Sequence, residues 1–263
     1  MSIDPYLDLS ARDRDLYVYR IISVPRLLEF FAKRENVLVK PRLWEDPFEN
    51  FILNSPVQIP SGEIATISFR DKVYGQCWTR QTASDAMWRI YSPKANAVRI
   101  RSTPRRLAES LSAARSKWAQ VEVFVGTVRY LNTKKLASFA ANAFRDAAIP
   151  TPRMFANTLL VKRPAFKHER EIRLLFFPRD DKDAAADLFG YDVDPHMLVD
   201  QIMIDPRMSQ ANANALRAKI IRKTGFKSPI KRSLLYAPPP SLPLPFGWPN
   251  QALNRTRRKR HAG

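Results

Sequence analysis

The chain has 263 residues, 45% of them hydrophobic, enough to bury one substantial core and too many for a disordered chain. Its formal charge of +19, from 44 Lys and Arg against 25 Asp and Glu, favours anionic partners such as nucleic acid, a dinucleotide or an acidic surface. A single cysteine excludes an internal disulfide, three histidines at 168, 196 and 261 lack zinc-ligand spacing, and seven glycines leave no glycine-rich loop, so a Rossmann or P-loop site is excluded.

In chain order, residues 1–15 read as a lead-in with scattered acids and no apolar signal core. No run approaches the length of a membrane span, so the expectation is a cytoplasmic protein with no membrane partner. LYVYR at 16–20 predicts a strand. Ser23 then caps a helix with Pro25 in its first turn and Leu27, Leu28, Phe30 and Phe31 on its apolar side, running to about Arg34. VLVKP at 37–41 predicts the next strand, and its proline opens the loop RLWEDPFEN. Further strands are expected at 73–79, 97–102, 121–131, 171–177 and 199–204. Helices are expected at 84–91, from a Ser102 or Thr103 cap to about Trp118, at 134–147, at 153–162, and at 209–224 ending on Gly225.

From Pro238 the composition turns to APPPSLPLPFGWPNQ and then a basic end, which predicts an extended, mostly disordered tail over 237–263. The interleaved elements before it predict a single α+β domain over 16–236, with a mixed, largely antiparallel sheet flanked by helices.

Four stretches carry polar chemistry. Arg20 ends an apolar strand, where a guanidinium can grip a phosphate or carboxylate, or pair with Glu171 or Asp46 as a structural bridge. Asp46 and Glu49 belong to the acid-rich aromatic loop 44–49, where binding groups or a plain Asp-Pro turn are both natural. Thr79 and Arg80 follow Cys77 and offer polar contacts, whereas Met87, Trp88 and Tyr91 at helical spacing fit core packing. Cys77 lacks any protease signature and reads as a structural thiol.

The fourth stretch is HEREIRL at 168–174. Read as a strand, it puts Glu169, Glu171 and Arg173 on one face. Two carboxylates roughly 7 Å apart repel by about 2 kcal/mol at an effective dielectric near 20, so the pairing calls for a reason. Acid-base chemistry, stabilisation of a cationic transition state, metal coordination and an ion-pair ladder with Arg173 and Arg20 all supply one.

Together these residues resemble the bacterial family named for domain of unknown function 2971. The likeness rests on Tyr17-Val18-Tyr19-Arg20, on Glu45-Asp46-Pro47-Phe48-Glu49 (Glu45 standing where the family has Asn), on Met87-Trp88-Arg89-Ile90-Tyr91, and on Phe166 through Arg173, and it spans about residues 16–236. That family name implies no activity.

A second resemblance does imply one. Arg on a first strand, Ser or Thr on a later one, then Glu-x-Glu, is similar to the Arg-Ser-Glu class of ADP-ribosyltransferases. It implies NAD as the cofactor, with Arg20, Thr79 and Tyr19 binding it. It also implies Glu171 stabilising the ribosyl cation and Glu169 serving the acceptor; Asp46, Glu49, Arg80, Trp88 and Arg173 are expected beside them as substrate contacts. The acceptor would be nucleic acid or protein, and no metal is needed. Two rival readings stand beside it. One is a metal-dependent nuclease built on Glu169, Glu171, Asp46 and Glu49. The other is a non-catalytic nucleic-acid-binding protein using the tail with Arg99, Arg101, Arg105 and Arg106.

Overall fold

In the computed structural model, residues 4–58, 62–66, 68–114, 122–145, 147, 149–178 and 186–239 are described. The strands are β1 (Tyr6–Leu7), β2 (Val18–Ser23), β3 (Glu35–Val39), β4 (Val57–Gln58), β5 (Ile64–Ala65), β6 (Tyr74–Thr79), β7 (Ala97–Ser102), β8 (Glu122–Thr127), β9 (Arg129–Tyr130), β10 (Val161–Lys162), β11 (Glu171–Phe177), β12 (Leu188–Asp192), β13 (Gln201–Ile204) and β14 (Ile230–Arg232). The helices are α1 (Val24–Lys33), α2 (Phe51–Asn54), α3 (Asp85–Tyr91), α4 (Pro104–Ala114), α5 (Thr133–Asn142), α6 (Pro152–Thr158), α7 (Pro195–Leu198) and α8 (Gln210–Thr224).

Local chemistry sets many of these bounds. The Ser23 hydroxyl accepts from the Arg26 amide and Pro25 sits in the first turn, so α1 starts where the sequence predicts. Thr103, the second of the two expected caps, accepts from the Arg106 amide to open α4. Gly225 closes α8 at φ 64, a left-handed conformation that glycine adopts without a Cβ clash. The expected extension of α4 to Trp118 and the tail beyond Pro239 lie outside the described residues.

Ten strands form one α+β mixed sheet in the order β1-β8-β11-β6-β2-β7-β13-β14, with β3 joining β6 and β12 joining β3. Among the described residues, β1 with β8 and β13 with β14 run parallel within it and the other pairs are antiparallel, as expected. The sheet divides at β6. Its Thr79 end pairs with Tyr19 of β2, and its Gly75 end pairs with Val39 of β3. β2 and β3 thus share one edge of β6 and diverge, with α1 connecting them.

Alternation along the strands separates two cores. One face buries Val18, Trp78, Ile100, Ile172, Leu174 and Phe176 against Leu27 and Phe31 of α1, Leu107 and Leu111 of α4, and Ile220 of α8. The other buries Phe124, Leu175 and Phe177 against Phe155 and Ala156 of α6. No helix among the described residues is long and apolar enough to cross a membrane.

Candidate functional site

The start of β11 differs from the sequence expectation in one respect. HEREIRL does not run as a continuous strand: residues Pro164–Glu169 form a 3-10 turn, Arg170 takes a left-handed conformation at φ 46, and the strand begins at Glu171. The turn nevertheless brings Glu169 beside Glu171. It is tied to the end of β6 from both sides. The Arg80 amide donates to the Arg170 carbonyl at 3.0 Å, the Gln81 side-chain amide donates to the His168 carbonyl at 2.9 Å, and the Thr79 hydroxyl donates to the Glu169 carbonyl.

Glu169, Glu171, Glu49, Lys162 and Arg173 form one buried ionic cluster, each no more than 6% exposed. Arg173 Nε donates to Glu171 Oε1 at 2.8 Å, and its Nη2 donates to Glu171 Oε2 at 3.0 Å and Glu49 Oε2 at 2.8 Å. Its Nη1 donates to the Leu159 carbonyl at 2.6 Å, and the Trp44 ring stacks at 4.3 Å from the guanidinium carbon. Lys162 Nζ sits among all three carboxylates, 2.6 Å from Glu169 Oε2, 2.8 Å from Glu49 Oε1 and 3.4 Å from Glu171 Oε2. The free oxygen of Glu169 accepts from the Tyr91 hydroxyl at 3.2 Å. The Tyr130 hydroxyl accepts from the Glu171 amide at 2.9 Å.

Electrostatics within the cluster follow from burial set against neighbours. Burial pushes the Glu171 carboxyl up, but Arg173 and Lys162 outweigh it and hold the group below its ordinary value. Burial with the adjacent Glu171 carboxylate wins at Glu49, whose value is raised despite Arg173 and Lys162. Lys162 and Arg173 are raised because carboxylates overcome their burial. Tyr91 is raised chiefly by burial and then by Glu169, and burial carries Tyr130 to about 12. The Cys77 thiol is pushed well up by burial and by Glu171, as suits a structural thiol rather than a nucleophile.

The sequence-derived candidates divide into those gathered here and those placed elsewhere. Tyr19, Thr79 and Glu171 lie in one register row across β2, β6 and β11, on the face that carries the cluster. Arg20 does not join them. It pairs in register with Ile100 and faces the Trp78 and Ile172 side, so the sheet stands between Arg20 and Glu171 and no bridge forms between the two. Asp46 is next to the cluster rather than in it: it caps the turn that presents Glu49, accepting from the Phe48 amide at 3.1 Å, and takes Arg163 Nη2 at 2.8 Å. Arg80 uses Nη1 on Asp13 at 3.1 Å, while its Nε and Nη2 are buried without a partner. Trp88 is 1% exposed, in keeping with core packing.

Two members were not singled out from sequence. Lys162 lies in a strand of two residues that alternation does not mark, and its only sequence signal was proximity to HEREIRL. Tyr91 reads as core by spacing, yet it is 47% exposed and turns its hydroxyl onto Glu169.

The folded residues bear on both rivals, while the tail that the second also invokes lies outside the described residues from 240 on. The Lys162 ammonium holds the point among three carboxylates that a divalent ion would need, and no His, Cys, Asp and Glu grouping suited to a metal occurs among the described residues. Of the arginines expected to meet phosphates, Arg101 and Arg106 are paired with Asp200, Arg105 with Asp15, and Arg99 is buried over Tyr19.

The chain matches no family model and no curated relative. Among solved structures it is similar to the Thermus sp. 2.9 DarT in complex with NAD+, at 14% identity and a TM-score of 0.36 over 83% of this chain and 95% of that one. The same protein in complex with ADP-ribosylated ssDNA matches at 13% identity and a TM-score of 0.36, over 86% and 96%. Likeness at that level assigns neither fold nor activity.

Proposed function

We propose that the chain is an NAD-dependent, ADP-ribosyltransferase-like enzyme, acting on nucleic acid or protein, whose working group is the carboxylate cluster around Glu169. The observation that carries this reading is the charge balance of the cluster. Three carboxylates share two cations, so one negative charge is left over and held by fixed hydrogen bonds away from water. Loss of nicotinamide develops positive charge on the ribose, and a preorganised anion in a dry site stabilises charge where it develops.

The roles divide by how fully each carboxylate is engaged. Glu171 has both oxygens on Arg173 and one also near Lys162, so it is a positioning residue that fixes the two cations. Glu169 has one oxygen on Lys162 and the other only on the hydroxyl of Tyr91, a half-exposed residue. Glu169 is therefore the group that meets the reacting centre. The bond from ribose to nicotinamide breaks with its electron pair leaving on neutral nicotinamide. The acceptor atom then bonds to the same ribose carbon, and its proton passes to Glu169. Arg80, on the turn tied to Arg170, has two unpartnered guanidinium nitrogens for the NAD diphosphate, in place of Arg20.

Incubation of the full chain with NAD labelled on the adenylate side, with single-stranded nucleic acid or a protein mixture as acceptor, tests this reading. Label is expected on one class of acceptor and absent with Glu169→Gln. Label on neither acceptor would refute the transferase.

A further inference from the structure

Where β2 and β3 diverge beneath α1, the fold leaves a cavity of about 110 Å³ on the face opposite the carboxylate cluster. Trp78 of β6 and Ile100 of β7 contribute to its walls, Asn36 of β3 adds a polar group, and Arg20 of β2 borders it. Asn36 is already committed, with its amide nitrogen donating to Tyr191 and its oxygen accepting from Gln76. Arg20 is different: it makes no hydrogen bond or ion pair among the described residues, although it is partly buried and carries five N–H donors.

Two carboxylates and two further cations also line this cavity. Glu29 takes both Lys33, at 2.7 Å, and Arg26, at 3.5 Å, while the Glu35 side chain lies against Gly190. Counting Arg20, Arg26 and Lys33 against Glu29 and Glu35 leaves one positive charge, 3 − 2 = +1. Burial pulls the Arg20 pKa below its ordinary value, and the groups that act on it are Cys77, Arg26 and Tyr191, with no carboxylate among them. The Arg20 nitrogens are not among the buried atoms that lack a partner, so they reach the cavity and are open to a ligand that accepts hydrogen bonds.

We infer that this cavity is a binding site for a small oxyanion, a phosphate or carboxylate group, gripped by Arg20. The size sets the limit on the ligand. At about 110 Å³ the space is small beside the several hundred Å³ of an ordinary ligand pocket, which suits a phosphate-sized group. The site is independent of the proposed transferase, because the sheet separates Arg20 from Glu169 and Glu171.

Calorimetric and thermal-shift titration of the full chain with inorganic phosphate and, separately, with acetate tests the site, using chloride at matched ionic strength as the reference. Arg20→Met keeps the volume and removes the charge, so this variant is expected to fold. Saturable binding by either anion that weakens tenfold or more in Arg20→Met, and not in the exposed-surface control Arg217→Met, supports the site and identifies the oxyanion it prefers. Neither anion exceeding chloride, or equal losses in Arg20→Met and Arg217→Met, would overturn it.

Discussion

Arg173 is wholly buried: it is 0% exposed and bonds to Glu171, Glu49 and the Leu159 carbonyl while stacking on Trp44. Glu169 and Glu171 repel, and Lys162 and Arg173 offset that repulsion by standing between carboxylates. Removing one partner from such a network leaves the others charged and unpaired. Arg173→Met is therefore expected to destabilise the chain by about 3–5 kcal/mol in urea unfolding. A change below about 1 kcal/mol would mean the cluster is not the buried unit described.

The sign of the pH dependence follows from Glu171, whose folded pKa lies below its ordinary value of 4.5. Its stabilising contribution is present above that value and is lost as the pH falls through the lower folded pKa. Glu49 has the opposite sign: its raised pKa adds stability at low pH that is lost as the pH rises through the folded value. Acid titration of the melting temperature should show stability falling below about pH 4.5. Glu171→Gln should flatten that limb, and an unchanged limb would place the acid sensitivity elsewhere.

At the scale of elements, the turn before β11 does the most to build the site. A left-handed arginine costs roughly 1–2 kcal/mol relative to an ordinary helical conformation, and three hydrogen bonds from the end of β6 hold it there. A β-branched residue fits this conformation worst, so Arg170→Val is expected to cost about 1–2 kcal/mol and Arg170→Gly to be nearly neutral. Equal stabilities for the two variants would show that the turn is not strained at this position.

That turn also marks where sequence reading ends. Ser23 with Pro25, the alternation of Val98 and Ile100 with Arg99 and Arg101, and Gly225 each carry a local signal, and their elements formed as expected. A non-glycine residue at φ 46 carries none, so HEREIRL reads as one strand although only its second half is one. The carboxylate pair itself was legible, and so was Arg173 as its counter-charge. Lys162 and Glu49 reach the same point through long-range packing, which no spacing along the chain reveals. The placement of Arg20 depends on register: a difference of one residue in β2 decides which face of the sheet its side chain takes.

For the whole molecule, the main question is where the charge of +19 lies. Arg101, Arg105 and Arg106 are taken up by aspartates in the folded domain, which shifts attention to Arg255, Arg257, Arg258, Lys259 and Arg260 near the C-terminus. If all five meet phosphates of a single-stranded acceptor, deleting residues 240–263 should reduce the salt slope of binding by about 3 to 4. An unchanged slope would assign the electrostatics to the folded domain.

The most direct test of the central claim is the rate of nicotinamide release from NAD by the full chain and by Glu169→Gln, with circular dichroism confirming that both are folded. Release by the parent is expected, and at least a hundredfold slower release by Glu169→Gln, the range that follows when one preorganised group is removed from a transition state. A folded Glu169→Gln protein that releases nicotinamide as fast as the parent, or a parent that releases none, would contradict it.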